Sequence, residues 1–279
     1  MEALVSPQWV AHHLTTPGFV LLDATLRKTV NTTREVTEGV IPGAVYVDLD
    51  ATFSDPESPL PHTLPSTSRL AALLSDTGIT TDSTVVVYDQ QGIYSSPRVW
   101  WMLRMMGVGK SFVLDGGLGA WREAGYGIAE NHALPVRKIG EFKVKPGQVV
   151  DKFTVLENIA APRFQMIDAR PEARFSGHQA EPRAGLRRGH IPGAINLPFS
   201  TVLKEGRYMS RESLADLFCS HGLTDNDELV FSCGSGVTAC IVLFAAHLAG
   251  LKRLRLYDGS WAEWGQDDTL PLRCNRADL

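Results

Sequence analysis

The chain has 279 residues, 44% of them hydrophobic and 21% charged, enough for a soluble globular protein with two cored domains. A formal net charge of −4 argues against nucleic acid or an anionic membrane as partner and favours a small-molecule substrate. The opening "MEALVSPQWVAHHL" lacks a basic leader and a long apolar core, and no apolar run reaches membrane-spanning length, so a cytoplasmic location is expected.

In chain order, "FVLLDATLR" begins at Phe19, "GVIPGAVYVDL" at Gly39, "DTGITTDSTVVVYD" at Asp76 and "VLDGGLGAWREAG" at Val113. The series then returns: "FQMIDARPE" from Phe164, "GHIPGAINLPF" from Gly189, "SHGLTDNDELVFSC" from Ser220 and "LYDGSWAEWGQDD" from Leu256. The offset of about 145 residues is too long for a solenoid repeat and suits a duplicated domain. Between the copies, "RKIGEFKVKPGQVVDKFTV" loses helical periodicity and reads as an extended connection. The expected organisation is a domain over residues 1–136, a linker over 137–155 and a second domain over 156–279.

Within each copy, short apolar runs such as "TVVVY" and "ELVFS" alternate with helical stretches such as "SPRVWWMLRMMG" and "GVTACIVLFAAHLAG". This alternation predicts an α/β fold, each domain an open, mostly parallel sheet with helices on both faces. Ligands in such sheets sit outside the carboxyl ends of the strands.

Cys233 lies at such a place, between "LVFS" and the helix opened by "GVTA". A thiol becomes a strong nucleophile only as thiolate, so a catalytic cysteine needs surroundings that favour negative charge. Gly234 and Gly236 let the following backbone N–H groups, through Val237 and Thr238, curl toward the sulfur, while the helix adds the positive end of its dipole. A buried cysteine in a glycine turn is the alternative that this spacing leaves open. The other cysteines, Cys219, Cys240 and Cys274, lack the glycine cradle, and no Cys-x-x-Cys or zinc spacing occurs. Free thiols, no disulfide framework and no metal are therefore expected.

The doubled domain, the cysteine loop and the "GHIPGA" and "YDGSWAEW" segments together resemble the tandem rhodanese-type sulfurtransferases, over nearly the whole chain. Within that family "CGSGVTA" is similar to the branch using 3-mercaptopyruvate, because thiosulfate-using members carry basic residues where this chain has Gly234 and Ser235. The first copy has Asp89 in place of Cys233 and cannot carry sulfane sulfur, so the resemblance implies one catalytic domain, the second. It implies Arg174 and Arg183 as substrate-binding residues. Spacing alone does not separate roles among Arg170, Arg174, Arg183, Arg187 and Arg188, of which Arg187 and Arg188 are read as solvated bystanders. The resemblance also implies a proton relay of Ser235, His62 and Asp50, with Asp48 as the other candidate carboxylate. His190 in "GHIPGA" is expected to be structural, since the first copy has Val40 there. The implied partners are a small-molecule sulfur donor and a thiol acceptor, thioredoxin being the one the family suggests, or cyanide; no cofactor is implied.

Three rival readings remain. Thiosulfate sulfurtransferase is disfavoured by the missing loop cations. A cysteine phosphatase needs an arginine six residues after the nucleophile, where this chain has Ala239. A non-enzymatic binding module fits the first copy alone.

Overall fold

The computed structural model describes residues 3–27 and 39–274. The duplication appears as two units, each built on a five-stranded parallel sheet. In the first, strands β1 (Leu4–Val5), β2 (Phe19–Asp23), β3 (Val45–Tyr46), β4 (Thr84–Tyr88) and β5 (Lys110–Leu114) lie in the order β1-β5-β4-β2-β3. Helices α1 (Pro7–His13), α2 (Thr67–Asp76), α3 (Ser96–Met105) and α4 (Gly117–Glu123) connect them. In the second, β6 (Val149–Val150), β7 (Gln165–Asp168), β8 (Ile195–Asn196), β11 (Glu228–Ser232) and β12 (Arg253–Tyr257) repeat that arrangement as β6-β12-β11-β7-β8. Their helices are α5 (Lys152–Ala160), α6 (Glu172–Phe175), α7 (Arg211–Ser220), α8 (Ala239–Ala249) and α9 (Ser260–Trp264); the short strands β9 (Leu203–Lys204) and β10 (Arg207–Tyr208) fall between β8 and α7.

The central strands read as continuous apolar runs because helices cover both faces of a parallel sheet. Val85, Val86, Val87 and Tyr88 of β4 are fully buried, as are Leu229, Val230 and Phe231 of β11. Ser66, Asp151 and Ser210 cap α2, α5 and α7, each accepting a first-turn N–H. Helix α8 is apolar on every face and buried from Ala239 to Ala246, which fixes the loop at its N-terminus against the core.

The segment 137–155 is not extended throughout. Val149–Val150 pairs along β12, and the Asp151 cap starts α5, so sheet and helix begin inside it. Before that, Leu134 and Ile139 are about nine-tenths exposed. By packing, Leu64–Pro146 and Glu205–Tyr208 join the N-terminal part up to Glu57, whereas Ser58–Thr63 joins Gly147–Lys204 and Met209–Leu279. A short piece of the first copy thus belongs to the second unit. Among the described residues no helix is long and apolar enough to cross a membrane.

Candidate functional site

Cys233 follows the last residue of β11 and is 1% exposed. Its N–H donates to Ser260 Oγ (3.1 Å), and the Ser260 hydroxyl donates to the Tyr257 carbonyl (2.9 Å). The carbonyls of Cys233 and Gly234 accept from the N–H groups of Trp261 and Ala262, both at 2.9 Å. The base of the loop is therefore clamped to the start of α9. Ser260 holds a left-handed φ of 49°, where the first unit has Gly117 at 57°. The serine accepts that strain while bonding the cysteine backbone on one side and its own strand on the other.

Beyond the clamp, Gly236 at φ 77° turns the chain toward α8. Among the described residues, the N–H groups of residues 234–239 donate no hydrogen bond. The first unit shows what such a loop holds. Asp89 stands at the position of Cys233; its Oδ1 accepts from Gln91 N–H (3.0 Å), and its Oδ2 from the N–H groups of Tyr94 (3.0 Å), Ser95 (3.1 Å) and Ser96 (2.9 Å). Gly92, at φ 91°, makes the same turn as Gly236. By register, the amides of Ser235, Thr238 and Ala239 correspond to three of those donors. One loop is closed by its own carboxylate; in the other the corresponding N–H groups donate to no acceptor among the described residues. Burial pushes the Asp89 pKa up, against the N–H bonds that pull it down.

The two arginines meet at Gly234. A Cβ built there would lie 3.3 Å from Arg174 Nη2 and 3.6 Å from Arg183 Nη1, so both guanidinium groups come against the residue next to the cysteine. A side chain here would press on the Arg174 guanidinium, and Gly234 does not hold a left-handed φ. His62 also reaches the loop: its Nδ1 lies 3.0 Å from Ser235 Oγ, and its backbone holds φ 58°. Which of the two donates follows the imidazole tautomer. His62 belongs to the segment Ser58–Thr63 that packs with the second unit. Asp50 lies in the first unit with its side chain exposed, its N–H donating to Asp48 Oδ1 (3.0 Å). The Asp48 carboxylate is taken up in that turn, accepting also from Ala51 N–H (3.1 Å).

Several residues have roles that sequence reasoning missed. Glu181 is buried and bridges Arg170 and Arg174, with no signal in the sequence beyond standing two residues before Arg183. Arg187, expected as a solvated bystander, instead donates to the carbonyls of Trp264, Gly265, Asp267 and Leu270, tying the end of α9 to the chain after it. Arg188 is exposed. In the first unit His132 Nε2 lies 3.1 Å from the buried Asp23 carboxylate, a partner the sequence did not suggest. His190 is buried, stacked on Phe175 at 3.8 Å and bonded through Nδ1 to the Phe175 carbonyl (2.8 Å), and burial pushes its pKa down. Cys240 is buried, its thiol donating to the Gly236 carbonyl (3.3 Å), while Cys219 and Cys274 are exposed; all four cysteines are free. Among the described residues no group of His, Cys, Asp and Glu side chains could hold a metal ion.

These features define a class: a duplicated parallel α/β protein presenting one thiol on an amide-lined loop, the twin loop being filled by a carboxylate. The Rhodanese-like domain model matches residues 6–124 and 154–267, and the chain belongs to that family. It is 39% identical over 274 residues to a 3-mercaptopyruvate sulfurtransferase of Escherichia coli, covering 96% of each chain. It is 41% identical over 277 residues to a 3-mercaptopyruvate sulfurtransferase of Mus musculus, covering 94% of this chain and 92% of that protein. The crystal structure of SseA from Escherichia coli superposes with a TM-score of 0.82 at 37% identity, covering 94% of this chain and 99% of the other.

Proposed function

We propose that the protein is a sulfurtransferase that takes sulfur from 3-mercaptopyruvate onto Cys233, releases pyruvate, and passes the sulfur to a thiol or to cyanide. The observation that carries this reading is the loop around Cys233, whose donors match those that hold the Asp89 carboxylate in the twin unit. The Cys233 thiolate attacks the sulfur of mercaptopyruvate. An S–S bond forms and the C–S bond breaks, its electron pair passing to the enolate of pyruvate. The proton originally on the mercaptopyruvate sulfur goes to the enolate carbon, leaving a persulfide anion within the amide cradle. Ser235 and His62, in hydrogen-bond contact, are the groups that move this proton, and Asp50 is the carboxylate the family resemblance adds to them. Arg174 and Arg183 receive the carboxylate and keto oxygens. In the second half-reaction a thiolate or cyanide attacks the outer sulfur and Cys233 leaves as thiolate.

Thioredoxin as acceptor and a cytoplasmic location extend the proposal; the four free cysteines accord with a reducing compartment. The test is intact-protein mass spectrometry after incubation with 3-mercaptopyruvate. One added sulfur atom is expected, removed by cyanide and absent from Cys233→Ser. The triple replacement of Cys219, Cys240 and Cys274 is expected to load normally; a loaded Cys233→Ser variant refutes the assignment.

A further inference from the structure

The substrate arginines are not electrostatic equals. Glu181 has a side chain only 2% exposed, and its two oxygens serve different cations: Oε1 accepts from Arg170 Nη1 (2.8 Å), Oε2 from Arg174 Nη2 (2.6 Å) and Nε (3.2 Å). Arg170 in turn pairs with Asp168 through Nη2 (2.6 Å) and Nε, donates to the Gly189 carbonyl (2.8 Å) and lies over the Trp261 ring at 4.2 Å. The series Asp168, Arg170, Glu181, Arg174 holds two anions and two cations, all buried, so its charge closes. Burial works against the Arg170 cation, but Asp168 and Glu181 outweigh it. Arg183, half-buried on the following loop, has no carboxylate partner among the described residues. Two guanidinium groups thus face Gly234, and one of them brings net charge.

We infer that Glu181 is a specificity-determining and positioning residue: by neutralising Arg174 it leaves a single net positive charge beside Cys233, selecting a monoanionic oxo-acid donor over a dianion such as thiosulfate. The inference rests on the proposed reading of the site and deepens it. A monoanion is matched by Arg183 and still finds oriented N–H donors on Arg174. A dianion leaves one charge unmatched in a site of low dielectric, where that mismatch is costly. Glu181 acts through Arg174 and touches no substrate.

The test compares Glu181→Gln with Glu181→Asp. Glu181→Gln removes the charge and is expected to raise the ratio of thiosulfate to 3-mercaptopyruvate kcat/KM by about tenfold. Glu181→Asp keeps the charge, so the ratio is expected to stay at the wild-type value even if both activities fall. An unchanged ratio in Glu181→Gln, or an equal shift in Glu181→Asp, overturns the inference. A second measurement needs neither turnover nor a Glu181 variant: calorimetric titration of wild type and Arg183→Gln with pyruvate and with sulfate. Wild type is expected to bind pyruvate about tenfold or more tightly than sulfate, and Arg183→Gln to lose pyruvate affinity by about tenfold or more. Sulfate binding as tightly as pyruvate, or Arg183→Gln keeping pyruvate affinity within about threefold, means that Arg174 acts as a full cation and refutes the neutralisation. Because these titrations ask only about anion binding, they test the single net charge beside Cys233 even if 3-mercaptopyruvate proves not to be the donor, and the Glu181 variants assign that charge balance to Glu181.

Discussion

Loading Cys233 with sulfur should stabilise the second unit, and the twin loop gives the size of the effect. In the first unit the carboxylate of Asp89 is held by four backbone N–H groups at 2.9 to 3.1 Å. In the second, the N–H groups of Ser235, Thr238 and Ala239 occupy the corresponding places and donate no bond among the described residues. A persulfide anion reaching the position of the twin's carboxylate gains those three. Hydrogen bonds to charged groups contribute about 1.5–3 kcal/mol each, and sulfur is a softer acceptor than oxygen, so about 3 kcal/mol in total is a reasonable expectation. For a unit of this size that corresponds to roughly 10 °C in Tm. The perturbation is reversible: 3-mercaptopyruvate loads the cysteine and cyanide strips it. Differential scanning calorimetry on both forms, with hydrogen exchange to assign the transitions, measures the shift unit by unit. The transition of the second unit should rise on loading and fall on stripping, while that of the first stays in place. Equal transitions in the loaded and stripped forms would mean that the outer sulfur gains no amide bonds beyond those the Cys233 thiolate already makes, and the parallel with Asp89 would fail.

His62→Ala should slow the first half-reaction with 3-mercaptopyruvate and leave sulfur transfer from the persulfide to cyanide near the wild-type rate, because only the first step makes an enolate; single-turnover kinetics separate the two. Gly234→Ala places a methyl group 3.3 Å from Arg174 Nη2, and Glu181 prevents that arginine from yielding, so KM for 3-mercaptopyruvate should rise about tenfold with little change in stability. An unchanged KM would show that the guanidinium is free to move. Arg187→Met removes donors from four carbonyls around the end of α9 and should destabilise the second unit by about 2–3 kcal/mol by urea titration, where a solvated bystander would change it by less than about 0.5 kcal/mol.

The fold is legible in the sequence because its signals are local and doubled. "TVVVY" and "ELVFS" form β4 and β11, and "SPRVWWMLRMMG" and "GVTACIVLFAAHLAG" contain α3 and α8. A period-two or fully apolar run bounded by turn residues carries its secondary structure with it. The position of the cysteine loop between strand and helix is legible for a similar reason, since Cys233, two glycines and a helix start are contiguous. The charge network is not. Asp168, Arg170, Glu181 and Arg174 meet only because β7, α6 and the following loop fold together, and no spacing distinguishes a neutralised arginine from one that keeps its charge. The same limit separates Arg187 from Arg188: adjacent in sequence, one is spent on backbone carbonyls and the other faces solvent. The segment 137–155 reads as extended because its strand is two residues long and its helix begins at a cap, Asp151, that apolar periodicity does not weigh.

Asp89 also bears on how the two copies have been able to drift apart. A loop that supplies its own anion needs neither a ligand nor an open approach, so the residues beside it are released from keeping space for one. Where the second unit has Gly234 against two guanidinium groups, the first has Gln90, whose amide donates to the Gly39 carbonyl at 3.2 Å. Tyr94, nearly fully buried, stands where the second unit has Thr238. A loop filled in this way keeps the same fold as its twin, because a side chain of the loop itself satisfies the N–H groups. Giving the first unit a loop like the second would take more than exchanging one carboxylate for a thiol, because Gln90 and the buried Tyr94 stand where the second unit has Gly234 and Thr238.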